Sequence, residues 1–106
     1  MVKLVQFMVR ADGYDHEAFV ERWRGEHAEM AQELPGLEHY STGVPTDPER
    51  AAYDGVLELG FEDMAAFSEA FDSDVGQEVQ ADAEEFVDMD ATEQMMIEET
   101  VHVGER

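Results

Sequence analysis

Apolar and polar positions follow two different periods along this chain, and the switches between them divide it into six elements. Residues 2–10, Val-Lys-Leu-Val-Gln-Phe-Met-Val-Arg, alternate so little that they predict a strand covered on both faces. Ala11-Asp12-Gly13 marks a turn, and Asp15 is placed to cap a helix. Phe19, Val20, Trp23, Met30, Ala31 and Leu34 then recur at helical spacing, so the helix is expected to run to about Leu34, where Pro35-Gly36 ends it. Residues 37–44 read as a second strand and 46–50 as a loop. Residues 53–61 read as a third strand, with Gly55, Leu57 and Leu59 on one face. Asp63 caps a second helix whose inward stripe is Met64, Phe67 and Phe71. Ser73 caps its continuation, which turns Val75, Val79, Ala83, Phe86 and Val87 inward, and residues 95–103 form the last strand.

The order β-α-β-β-α-β has a known solution. Two split β-α-β units give a four-stranded antiparallel sheet with both helices on one face, the ferredoxin-like arrangement of the α+β class. No linker or low-complexity tract interrupts residues 1–106, which read as a single domain. The first strand offers Leu4 and Met8 to one side and Val5, Phe7 and Val9 to the other, so both of its sides are apolar. The helices cover only one of them. A second copy of the sheet is the economical cover for the other, and a homodimer packed sheet to sheet is expected.

Charge changes the picture of the surroundings rather than of the fold. The chain carries 27 acidic residues against 6 Lys+Arg, a formal net charge of −21, and Lys3 is its one lysine. Nucleic acid and anionic membrane surfaces are the wrong partners, since both are bound with cations. Self-repulsion at this density opposes folding unless salt screens it, which points to a halophilic cytoplasm. Residues 62–99 hold 14 acids and no base, which reads as a solvated acid surface. With no cysteine there is no disulfide framework or thiolate site. No apolar stretch reaches membrane length, and residues 1–20 lack a leader's pattern, so a cytoplasmic location is expected.

No phosphate-binding glycine loop, nucleophile elbow or zinc motif is present, and no metal or cofactor is expected. Among so many acids, paired carboxylates cannot be singled out. His16 lies near Asp12 and Asp15 at a helix start, and His39 and His102 fall on predicted strands without a recognisable partner. His27 is different. It follows Trp23 by four residues and precedes Met30 by three, inside the apolar stripe. Two roles are open to it: a core histidine bonded to backbone, or a neutral base facing a cavity, since burial lowers a histidine's pKa.

The opening strand, Phe19-x-x-x-Trp23-x-x-x-His27, Leu34-Pro35-Gly36-Leu37-x-x-Tyr40, the run 53–61 and the closing strand together resemble the EthD family over essentially the whole chain. The resemblance implies a dimeric α/β-barrel of ferredoxin-like subunits. Relatives with this subunit include methylmuconolactone isomerases, polyketide cyclases and cofactor-free monooxygenases. In the isomerase-like members a histidine and a tyrosine matching His27 and Tyr40 line the pocket, which makes these two the candidate catalytic pair. Trp23, Phe61 and Phe86 are the candidate substrate-binding walls, with packed core as the other role open to them. The chain departs from many relatives at Glu29, where they carry proline, and at Gly25 within the helix. The function implied is cofactor-free proton transfer (isomerisation, cyclisation or decarboxylation) on a small hydrophobic molecule bearing a carbonyl or aromatic ring. The alternatives are a cofactor-free monooxygenase and a non-catalytic dimeric ligand-binding module.

Overall fold

The computed structural model describes residues 1–104. Its strands are β1 (Val2–Met8), β2 (His39–Gly43), β3 (Gly55–Phe61) and β4 (Glu93–Glu98). Its helices are α1 (His16–Arg22), the short α2 (Ala28–Ala31), α3 (Met64–Asp72) and α4 (Asp74–Phe86). The strands form one antiparallel sheet in the order β2-β3-β1-β4. This is the expected α+β ferredoxin-like sheet. Asp15, Asp63 and Ser73 each cap a helix by accepting the backbone N–H three residues on, from Ala18, Ala66 and Gly76.

Register determines which side chains meet the helices. Leu4 pairs with Leu59 and Met96, Gln6 with Leu57 and Gln94, and Tyr40 with Leu59. By the two-residue period these share one face, and on it Leu4, Met8, Leu57 and Leu59 are buried together with Phe19, Trp23, Phe61 and Phe86. The indole of Trp23 lies so close to Gly55 that any Cβ there would overlap the ring, which is why β3 opens on a glycine.

The opposite face carries Val5, Phe7, Val56, Met95 and Ile97 by the same alternation. Phe7 is 38% and Met95 60% exposed, so in the single chain the expected second covering of β1 is absent. Lys3 also belongs to this face, yet it is only 5% exposed. Its ammonium lies between Glu58 at 3.2 Å and Glu99 at 2.7 Å. The Glu99 hydrogen bond is the chief reason its pKa stands above the ordinary lysine value, against the opposite pull of burial.

Several expectations need correcting. The first helix is not continuous to Leu34. Gly25 leaves the helical region (φ −93°, ψ −108°), and residues Trp23–His27 form a widened, π-like kink between α1 and α2. Glycine is the residue that tolerates such a break, and helix kinks concentrate at glycine and at π-bulges. β2 and β3 start two residues later than expected, and the last strand ends at Glu98. Val101, His102 and Val103 lie beyond that end and are exposed, with no sheet partner to hold them. Met64, expected on the buried stripe of α3, is 46% exposed in the first turn, while Ala70 is the fully buried residue of that helix.

Candidate functional site

The kink brings the end of α1 and the start of α2 against α4. Arg22 closes α1, and its guanidinium grips the Asp82 carboxylate with two hydrogen bonds, at 2.9 and 2.5 Å. One oxygen of that carboxylate also meets His27, whose Nδ1 lies 2.7 Å from Asp82 Oδ2. Asp82 is held below the usual carboxylate range, first by the Arg22 hydrogen bond and then by that from His27. His27, 5% exposed, is pushed below its ordinary pKa by burial, which outweighs the opposite pull of Asp82. An ionised carboxylate beside a neutral imidazole fixes the tautomer: Nδ1–H donates to Asp82, and Nε2 keeps a lone pair. Nε2 has no protein partner among the described residues.

Phe86 supports this arrangement from behind. Its ring meets the His27 ring edge-on with centroids 5.0 Å apart, and the Arg22 guanidinium lies 5.0 Å from its centroid. One α4 aromatic therefore positions both partners of Asp82.

His27 and Tyr40 line the same cavity, between the inner sheet face and the helices. Leu4, Leu57, Leu59, Phe71 and Val79 make most of its wall, and Gln6 and Gln80 its polar part. The space open to water centres is about 40 Å³, room for a few waters or one substituent of a larger molecule. The Tyr40 hydroxyl is buried and has no hydrogen-bond partner, and burial holds its pKa above the usual phenol value. A buried donor left unmade costs about 1–3 kcal/mol, so such a group calls for a partner in the space it faces.

Trp23, Phe61 and Phe86 do not share that cavity. All three are fully buried core side chains. Trp23 packs on Gly55 and Phe19, Phe61 against Phe67 and Phe71, and Phe86 behind His27. Of the proposed substrate walls, Phe86 comes nearest to that role, one layer behind the histidine. His16 is not tied to Asp12 or Asp15; its Nδ1 lies 2.9 Å from Asp54 Oδ1. His39 pairs with its own strand, Nε2 lying 3.1 Å from Ser41 Oγ.

The residue that sequence reading missed is Asp82. It was one of 14 acids in an expanse read as solvated. A signal did exist. Asp82 follows Val79 by three residues and precedes Phe86 by four, which puts it on the inward stripe of α4. An acid at a core position needs a cation or a histidine, and the stretch Arg22 to His27 supplies both. Of the two departures noted, Glu29 is an exposed residue of α2 and Gly25 makes the kink.

A family model for the EthD domain matches residues 11–90 of the chain. The chain belongs to the EthD family. Its fold is shared with solved EthD-type and related structures. An EthD family protein from Bacillus halodurans superposes with a TM-score of 0.79 at 24% identity, covering 94% of this chain and 99% of that one. A protein of the DABB family with a ferredoxin-like fold, from Mesorhizobium loti, gives 0.74 at 13% identity, covering 94% and 97%. A dimeric ferredoxin-like protein of unknown function from Thermobifida fusca gives 0.72 at 12% identity, covering 91% and 88%. No curated protein matches the chain. In this EthD chain the matched segment 11–90 contains Arg22, His27, Tyr40 and Asp82, the groups that build the site.

Proposed function

We propose that this EthD-family chain is a cytoplasmic, cofactor-free enzyme of proton transfer, acting on a small hydrophobic molecule with a carbonyl or phenolic oxygen. The observation that carries the reading is that Tyr40, whose hydroxyl is buried without a partner, lines the same cavity as His27. A substrate oxygen placed there accepts the Tyr40 hydrogen bond. A C–H bond beside that carbonyl then faces Nε2, which takes the proton while the bonding electrons move into an enolate whose oxygen Tyr40 stabilises. The imidazolium formed is balanced by Asp82, which Arg22 keeps ionised. Returning the proton to another carbon completes an isomerisation, and returning it after ring closure completes a cyclisation.

The same proposal includes a homodimer. Its support is the uncovered apolar sheet face with Phe7 and Met95, together with a structural neighbour described as dimeric. Light scattering in high salt should give twice the 12.0 kDa chain mass, and a 12 kDa particle at micromolar protein would refute the pairing.

Incubation with lactones, polyketide-like phenols and quinols tests the chemistry. Turnover without oxygen uptake, lost in His27→Ala and reduced in Tyr40→Phe, is the expected result. Oxygen consumption would replace the proton-transfer reading with a monooxygenase. Tight binding with no turnover would replace it with a binding module.

A further inference from the structure

The His27–Tyr40 cavity is the narrow end of something larger. It shares Leu4, Gln6, Phe71, Gln80 and Met89 with a wide groove between β4, α3 and α4. That groove offers about 520 Å³, within the ordinary range for small-molecule sites of ~300–1,000 Å³. Two features mark this surface. Charged residues make up 31% of the chain, yet among the described residues no Asp, Glu, Lys or Arg lines either the cavity or the groove. Four of the chain's five glutamines line them instead: Gln6, Gln77, Gln80 and Gln94.

The amides are arranged with capacity to spare. Gln6 Nε2 donates to Gln94 Oε1 at 2.6 Å, leaving the Gln6 oxygen as acceptor and the Gln94 NH₂ as donor. The Gln80 amide makes no protein hydrogen bond among the described residues, and its residue is exposed at the mouth. Phe67, Phe71, Met89 and Met96 provide the groove's apolar wall. A ligand carboxylate would enter against a net charge of −21 and meet no cation, and a ligand ammonium would lose its water and meet no carboxylate.

Resting on the reading of the His27–Tyr40 cavity as a ligand site, we infer that the groove selects elongated, uncharged molecules with a polar group at each end. One end reaches Tyr40 and His27, and the other takes hydrogen bonds from the glutamine amides at the mouth.

Calorimetry with four biphenyl probes at one fixed salt concentration tests this: 4-hydroxybiphenyl, 4,4′-dihydroxybiphenyl, 4′-hydroxybiphenyl-4-carboxylate and 4′-hydroxy-4-aminomethylbiphenyl. The diol should bind roughly five-fold tighter than the mono-ol, the worth of about one hydrogen bond. The acid and the amine should bind at least roughly ten-fold more weakly than the diol. Gln94→Leu and, independently, Gln80→Leu should each narrow the diol's advantage over the mono-ol. Tyr40→Phe should weaken diol and mono-ol alike. Equal affinity for diol and mono-ol, or a preferred acid or amine, overturns the inference while a Tyr40→Phe effect keeps the cavity reading. Mono-ol binding indifferent to Tyr40→Phe, or no binding of any probe at millimolar concentration, overturns both.

Discussion

Two clusters in this molecule contain the same three groups. Arg22, Asp82 and His27 meet at the kink, and Arg10, Asp54 and His16 meet where β1 leaves the sheet. In each a carboxylate of low exposure accepts from a guanidinium and faces a histidine Nδ1, at 2.7 Å for Asp82 and 2.9 Å for Asp54. Asp54 also accepts the backbone N–H of Arg10 at 2.9 Å. Burial alone would raise the pKa of Asp54, but hydrogen bonds from His16 and Arg10 outweigh it and hold the carboxyl below its ordinary value. The difference lies beyond the carboxylate. The His16 side chain is 23% exposed, whereas His27 lines a cavity together with Tyr40, whose hydroxyl has no partner. An Arg–Asp–His arrangement is therefore a staple in one place and a candidate proton relay in the other, and the wall facing the histidine decides which.

Substitution should separate the two clusters cleanly. His27→Ala should lower turnover of any responsive lactone or phenol by about 10²–10⁴, the usual worth of a general base, while His16→Ala leaves turnover within a factor of two. Steady-state kinetics on both variants reads this, and equal losses would erase the distinction. His27→Ala should cost little stability, because it enlarges a cavity that already exists. Asp54→Ala should be the stability variant, at about 2–3 kcal/mol. It orphans the Arg10 amide and removes the Arg10 ion pair and the His16 contact at once, and thermal unfolding should show the drop with kcat unchanged.

The pH dependence sharpens the same contrast. The folded-state pKa of His27 lies below its unfolded value, so between the two the unfolded chain binds more protons and stability falls as pH drops. The loss begins as pH descends through about 6.5, the unfolded histidine value. A His27→Asn variant should lack this component, visible as a shallower slope of thermal midpoint against pH just below 6.5. Asp82 and Asp54, with depressed pKa values, contribute stability above the unfolded carboxylate range and lose it at far lower pH, as pH falls through their folded values. Salt should act on the remainder. Midpoints of wild type and Asp54→Ala should rise in parallel between low and multimolar KCl, since screening relieves surface repulsion and reaches sheltered pairs much less. Flat or falling midpoints would remove the halophilic reading.

The elements were legible because capping and period agreed with the final packing. Asp15, Asp63 and Ser73 all cap where composition placed them, and Leu57 and Leu59 face the core as alternation required. His27 stood out through its place in an apolar stripe, and Tyr40 through family resemblance. Hidden were the features that depend on long-range partners. Asp82 acquires meaning only when α4 lies against the kink, 55 residues away in sequence. Gly25 was visible as a departure within the helix but not as the kink from which His27 approaches α4. The short β4 was overread because the apolar residues of 101–103 continue its pattern past the last hydrogen-bonded partner.

The burial of Lys3 carries a practical consequence for handling the protein. Its ammonium is the chain's one lysine side-chain amine, and in the fold it is sheltered between Glu58 and Glu99 and held protonated. A protonated amine is no nucleophile. Acylating dyes, biotin esters and amine-directed surface coupling should therefore spare Lys3 in the native chain. Acylation of Lys3 would report that the sheet had opened.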